Sequence, residues 1–149
     1  MPVVQSSFSE DIAIGYPGMD CSGELSNIIT ATLEGASTCA FGRPVYQGTA
    51  DKGVTLTVSA NLVGFALADK GLPVTTSRPA DTYAPGDNVA IKERGTLWVT
   101  STTTAAKNDQ VYVTAAGAIT NVSTGNTAAT GWKFDMALAA AGIVRIARR

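Results

Sequence analysis

The sequence predicts an all-β fold, a compact antiparallel β-barrel or β-sandwich with an extended N-terminal arm, and three observations carry that reading. Apolar and polar residues alternate at period two in short runs, as strands with one buried face require. Turn-forming residues separate the runs at close spacing. No stretch carries an apolar stripe of helical period long enough to be stable without packing.

Residues 1–17 hold scattered apolar positions (Val3, Val4, Phe8, Ile12, Ile14) among polar ones and end at Gly15-Tyr16-Pro17-Gly18. They are read as an arm that orders on a neighbour, and residues 18–149 as the β-domain. Strands are expected at 27–33, 44–49, 54–59 and 62–68. Val54, Leu56 and Val58 against Thr55, Thr57 and Ser59 form the cleanest alternation. LVGFALA at 62–68 is apolar on both faces, which predicts a central, doubly covered strand. Gly64 within it marks a bulge or a close backbone approach. With Pro73, Pro79, Pro85 and Gly71, residues 70–85 read as a long loop folded over one end of the body.

Between 85 and 121 four alternations follow one another: Val89 with Ile91, Leu97 with Val99, Val111 with Val113, and Ile119. Pro85-Gly86-Asp87, Arg94-Gly95 and Lys107-Asn108-Asp109 are expected to turn the chain between them. Residues 123–131 read as a loop, 132–138 as a strand, 140–142 as a turn and 143–147 as the last strand. The Ala-rich pieces at 102–108 and 135–142 have helical propensity but are too short for more than one helical turn. Leu56, Val58, Val89, Ile91, Val99, Val111 and Val113 are the expected core.

Charged residues make up only 15% of the 149, well below the usual quarter or so. A Thr-rich pleated surface accounts for that, and so does a surface partly covered by partners. The net charge of −1 supplies no field to draw the chain to nucleic acid or anionic lipid. Residues 1–11 lack the basic and apolar regions of a secretory signal. The run 136–144 is about half the roughly 20 residues of a membrane span, so a soluble chain without export is expected. Cys21 and Cys39 are then reduced, small apolar residues.

Histidine is absent, which removes the usual general base and the commonest metal ligand. Two cysteines without histidine cannot close a tetrahedral zinc site, and no nucleophile elbow, Ser-x-x-Lys pair or phosphate loop occurs. Asp81, Asp87 and Asp109 sit at turns, where carboxylates bond the local backbone, so neither a two-carboxylate enzyme nor a calcium loop is expected. Trp98, Tyr112, Trp132 and Phe134 are read as core or cross-strand aromatics rather than a base-stacking platform. Arg145, Arg148 and Arg149 form a small basic tip, read as a solvated end or a contact with acids. No catalytic residue, cofactor or metal is assigned.

FGRPVYQGTADKGV (41–54), LVGFALADK (62–70), YAPGDNVAIKERGTLWVTS (83–101) and DQVYVTAAGAITN (109–121) stand in an order that resembles the capsid cement, or decoration, proteins of tailed bacteriophages. The likeness spans nearly the whole chain and is loose over 18–35. It implies a small all-β protein, made in the host bacterial cytoplasm, that coats the outer surface of the phage head. The implied partners are the major capsid protein and the chain itself, as a homotrimer rather than a homodimer, with no nucleic acid and no membrane. Phe8, Ile12, Ile14, Tyr16, Arg43 and Tyr83 are the expected capsid or intersubunit contacts. The alternative is a sugar- or surface-binding β-module of a head fibre or adhesin.

Overall fold

One strand organises the molecule. In the computed structural model, which describes residues 15–149, β7 (Asn88–Ser101) runs for 14 residues without interruption. Ten other strands are arranged about it: β1 (Asn27–Leu33), β2 (Cys39–Ala40), β3 (Pro44–Gln47), β4 (Gly53–Thr55), β5 (Leu62–Ala66), β6 (Thr82–Tyr83), β8 (Gln110–Val113), β9 (Ile119–Thr120), β10 (Thr127–Phe134) and β11 (Gly142–Arg148). No helix occurs among the described residues. The fold is all-β.

Nine strands form a single sheet in the order β1-β4-β3-β5-β7-β11-β10-β8-β9, with β1 and β9 each also pairing with β7. Those two extra pairings close the sheet twice. The first half of β7, with β1, β4, β3 and β5, makes one five-stranded ring. Its second half, with β11, β10, β8 and β9, makes another. Closure removes most of the open edge that a flat sheet would expose. The ladders are antiparallel except β1–β4 and β7–β9, which are parallel. β2 and β6 pair separately.

Each ring has its own core. Ala31, Leu33, Cys39, Val45, Val54, Ala66, Val89 and Ile91 fill the first, with Phe41 and Tyr83. Leu97, Val99, Val111, Val113, Ile119, Trp132, Phe134, Val144 and Ile146 fill the second. Phe65 of β5 crosses into the second core and meets Trp132 edge-on, with ring centroids 4.9 Å apart. Val89, Ile91, Val99, Val111 and Val113 are fully enclosed.

Several sequence expectations change. Arg94-Gly95 does not turn the chain; Gly95, at φ 117°, lets β7 pass from one ring to the other as a single strand. The 54–59 alternation leaves the ladder after Thr55. Leu56 and Val58 are only partly buried, Leu56 against the first core and Val58 against the second. The alternation is real, but Leu56 and Val58 serve different rings, and the backbone has left the sheet before it reaches them. Residues 123–131 are not all loop, because β10 begins at Thr127. Its ladder to β8 shifts register between Ala128 and Lys133, where the Gln110 side-chain amide donates to the carbonyls of Ala129 and Trp132. Gly64 meets its expectation: the β3–β5 register slips between Val45 and Tyr46, and a Cβ on Gly64 would lie 2.3 Å from the Lys92 carbonyl oxygen.

Candidate functional site

Residues 15–24 form a strap along β7, antiparallel to it. Gly18 N–H donates to the Trp98 carbonyl (2.7 Å), and Trp98 N–H donates to that of Met19 (2.9 Å). Asp20 bridges to Leu97, and the Ser22 and Thr96 hydroxyls are 2.7 Å apart. The strap then leads into β1, which continues along β7 in the same direction. Beneath it Lys92 is fully buried. Its ammonium pairs with the Asp20 carboxylate and donates to the Thr96 carbonyl. A buried ammonium without such partners is strongly unfavourable, so this pair ties the strap to the junction between the rings. Period two sets Lys92 on the face of β7 opposite Val89 and Ile91, and there the strap covers it.

Three shallow hollows adjoin at the root of the strap. The first, about 190 Å³, lies under the 69–82 loop among Phe41, Leu72, Val74, Pro79 and Asp81. Phe41, Lys70 and Asp81 carry over into the second, which Tyr16 and Pro17 complete. Pro17, Ala40 and Phe41 carry over into the third, about 230 Å³, which continues past Arg43 to Gly117 and Ile119 of the other ring. A groove thus crosses both rings where residues 15–18 lie. Tyr16 is 41% exposed, with the Lys70 ammonium 4.4 Å from its ring centroid in a cation–π contact. Lys70 also pairs with Asp81. On the loop above, Val74 is 70% exposed.

Of the expected contact residues, Tyr16 and Arg43 line adjoining hollows of the groove. Arg43 is half-buried, donating from Nη2 to the Ala116 carbonyl beside Gly117. Tyr83 is a correction: it is 1% exposed, its hydroxyl donates to the Leu67 carbonyl at 2.8 Å, and Phe41 packs edge-on against it at 5.4 Å. A residue so enclosed holds the groove floor and reaches no partner. Phe8, Ile12 and Ile14 lie outside the described residues. Leu25, Ile28 and Val74, all exposed apolar residues, escaped the sequence reading: Leu25 and Val74 sit in polar, aperiodic loops, and Ile28 stands beside Ile29 in β1, where either could face outward.

The acids on turns bond locally. Arg78 holds Asp87 through two parallel hydrogen bonds, Asp87 accepts from Ala84 N–H, and the guanidinium keeps its carboxyl below the usual range. Asp109 accepts from Ala106 N–H and from the Asn121 amide, which lower its pKa likewise. The basic tip pairs with acids: Arg149 clamps the buried Asp135 and reaches Glu24, and Arg145 also contacts Asp135. Trp132 and Phe134 are core. Cys21 and Cys39 are free thiols, and burial pushes that of Cys39 up to about 12. Among the described residues no group of three or more Cys, Asp or Glu is placed to hold a metal, and no helix is long and apolar enough to cross a membrane.

The geometry is that of a doubly closed β-body crossed by a shallow groove, with its turn acids taken up in local bonds. The family described as structural cement protein (E217 gp24/Pam3 gp6), a phage cement family, matches residues 4–149. This chain belongs to that family of phage capsid structural proteins. Among solved structures it is similar to a chain in the capsid of Myoviridae phage XM1, with a TM-score of 0.69 and 16% identity, covering 93% of this chain and 94% of that one. A weaker likeness, TM-score 0.48 and 10% identity over 84% and 95% of the two chains, is to the base of the head fibre gp8.5 of bacteriophage phi29. Comparison with curated protein sequences gives no match.

Proposed function

We propose that this protein is a passive clamp on the outer surface of a phage head, bound across seams between major-capsid subunits and holding the shell against the pressure of packaged DNA. Membership of the cement family over residues 4–149 is the observation that carries the reading. A protein that binds the closed seam better than separated subunits stabilises the closed shell by mass action and slows its rupture. A homotrimer suits this role better than a homodimer. Three linked copies, each burying roughly 800 Å² per partner, gain on the order of 10²–10⁴ in avidity.

Within this reading residues 1–17 are the arm and 18–149 the body. Phe8, Ile12 and Ile14 anchor the arm between subunits, while Tyr16 and Arg43 contact the shell from the groove at its root. The doubly closed sheet supplies stiffness, and about fourteen extended residues supply up to roughly 45 Å of reach. Synthesis takes place in the host cytoplasm, before loading onto the head. Mixing purified protein with heads that lack it, followed by imaging, tests the proposal. Regular density over the capsomer seams is the expected result, and bare heads at saturating protein would refute it. Deleting residues 1–14 is expected to leave a folded body that no longer loads; full occupancy by the truncated form would remove the arm from the mechanism.

A further inference from the structure

Among the described residues, double closure leaves a stretch of sheet edge open beside the second half of the strap. β1 pairs with β7 from Asn27 to Thr32, but with β4 only at Thr32 and Leu33. Thr32 N–H donates to the Lys52 carbonyl on the β4 side, and Leu33 N–H to that of Asp87 on the β7 side. By strand alternation, the backbone groups of Ile28 and Thr30 then point to the side away from β7. There no strand among the described residues meets them. Natural proteins guard such an edge with charge, proline or a bulge that turns it away. Here Leu25 is 95% and Ile28 48% exposed alongside it.

The same edge borders a basic cleft. Asn27, Glu93, Arg94, Arg148 and Arg149 line a hollow of about 510 Å³. The Glu93 carboxylate accepts from the Asn27 amide, and Arg149 is taken up by Glu24 and Asp135. Arg148 reaches only the Glu93 backbone carbonyl. Neither Arg94 nor Arg148 has a carboxylate partner among the described residues. Backbone groups open to pairing, exposed apolar side chains and two uncompensated guanidinium groups suit an extended segment with a carboxylate between apolar residues.

We infer that the edge takes residues 8–14 of a second copy of this chain. That segment reads FSEDIAI. As a strand it would set Phe8, Glu10, Ile12 and Ile14 on one face, with Asp11 on the other. Added to β1 by backbone hydrogen bonding, it brings Glu10 to Arg94 and Arg148, on the face that carries Ile12 and Ile14 to Ile28 and Leu25. The donor is a second copy because of where the segment joins the body. Gly15 packs against Trp98, and the strap runs from there toward Asn27, opposite Arg94, so the chain preceding Gly15 joins at the end of the strap remote from the edge. Residues 8–14 contain neither glycine nor proline to reverse it. The inference deepens the reading of the arm as an intersubunit contact by naming its partner, and it is tested without any capsid.

The test is sedimentation of the full chain at concentrations on the order of 50 µM. Two variants are compared with it: one lacking residues 1–14 but keeping the edge, and R94E/R148E, which keeps the arm but reverses the cleft. The full chain should associate, with affinity falling as salt rises. Each variant alone should sediment as a monomer, its association weakened about tenfold or more. Mixed together, the two should form a hetero-complex, since one supplies the arm and the other the edge. Adding E10R/D11R to R94E/R148E should restore self-association, which controls for misfolding of the reversed cleft. A monomeric full chain overturns the inference, as does association that survives in both variants. A monomeric full chain whose R94E/R148E variant no longer loads onto heads would assign the edge to the capsid protein and overturn the second copy as its occupant.

Discussion

The residues that hold this protein together at its junction are polar, which makes their substitution informative. Removing the carboxylate of Asp20 leaves the buried Lys92 ammonium, among the described residues, with only the Thr96 carbonyl. Asp20 is 45% exposed, so water relieves part of the loss, and Asp20→Asn is expected to destabilise by about 1–3 kcal/mol rather than the full 3–5 of an enclosed pair. Lys92→Met combined with Asp20→Asn should recover most of that in urea denaturation; no recovery would show that the pair is not what anchors the strap. Tyr46 is the converse. Its ring is buried and its hydroxyl has no hydrogen-bond partner among the described residues. Tyr46→Phe should therefore be neutral or stabilising by up to about 1 kcal/mol, and a clear fall in melting temperature would mean that the hydroxyl is satisfied by a bound water.

At the scale of elements, β7 is the critical piece, and Gly95 is its weak point. A Cβ there would approach the Ser26 Cβ to 2.8 Å, on a backbone at φ 117°. Gly95→Ala is expected to destabilise both rings by about 1–3 kcal/mol, seen as one cooperative transition at lower denaturant; two separate transitions would show that the rings unfold independently. Core truncations should follow burial rather than alternation. Ile91→Ala is expected to lose about 2–5 kcal/mol, and Val58→Ala less than about 1 kcal/mol, because Val58 stays partly in water. Equal losses would return 54–59 to the sheet as one strand. These contrasts show what the sequence makes legible. The strand at 27–33 and the alternations at 88–101 and 110–113 stand where period two placed them, because side chains that share one core keep strict register. The turn at Arg94-Gly95 was misread, since a glycine that bends a strand and one that ends it look alike in one dimension.

For the whole molecule, acid and alkali should destabilise for different reasons. Asp87, Asp109 and Asp135 have folded pKa values lowered by guanidinium or N–H donors. Their contribution is present above the unfolded value of about 3.9 and is lost as pH falls below it through the lower folded values. Cys39, Tyr46 and Tyr83 are each pushed up to about 12 by burial, so stability should also decline as pH rises from about 9–10 toward 12. Melting temperature is expected to be flat between about pH 5 and 8 and to fall on both sides; a decline centred near neutrality would contradict this assignment of groups. The groove was less legible than the fold. Tyr16 and Arg43 line adjoining hollows of the groove, but Tyr83 lies beneath it; the exposed Leu25 and Val74 have no period to reveal them, and Ile28 stands beside Ile29 in β1, where either could face outward. A surface for partners is assembled from loop tips and strand ends, whose proximity depends on closing the rings.

Because β7 belongs to two closed circuits, the protein finishes folding in two stages as the ribosome makes it. The circuit of β1, β4, β3 and β5 can shut once Arg94 has emerged. The other must wait for β11, whose seven residues lie against 95–101. Until translation has passed Arg148, Leu97 and Val99 have no lid, and the nascent chain carries a finished half joined to an apolar half that is vulnerable to proteases and to its neighbours.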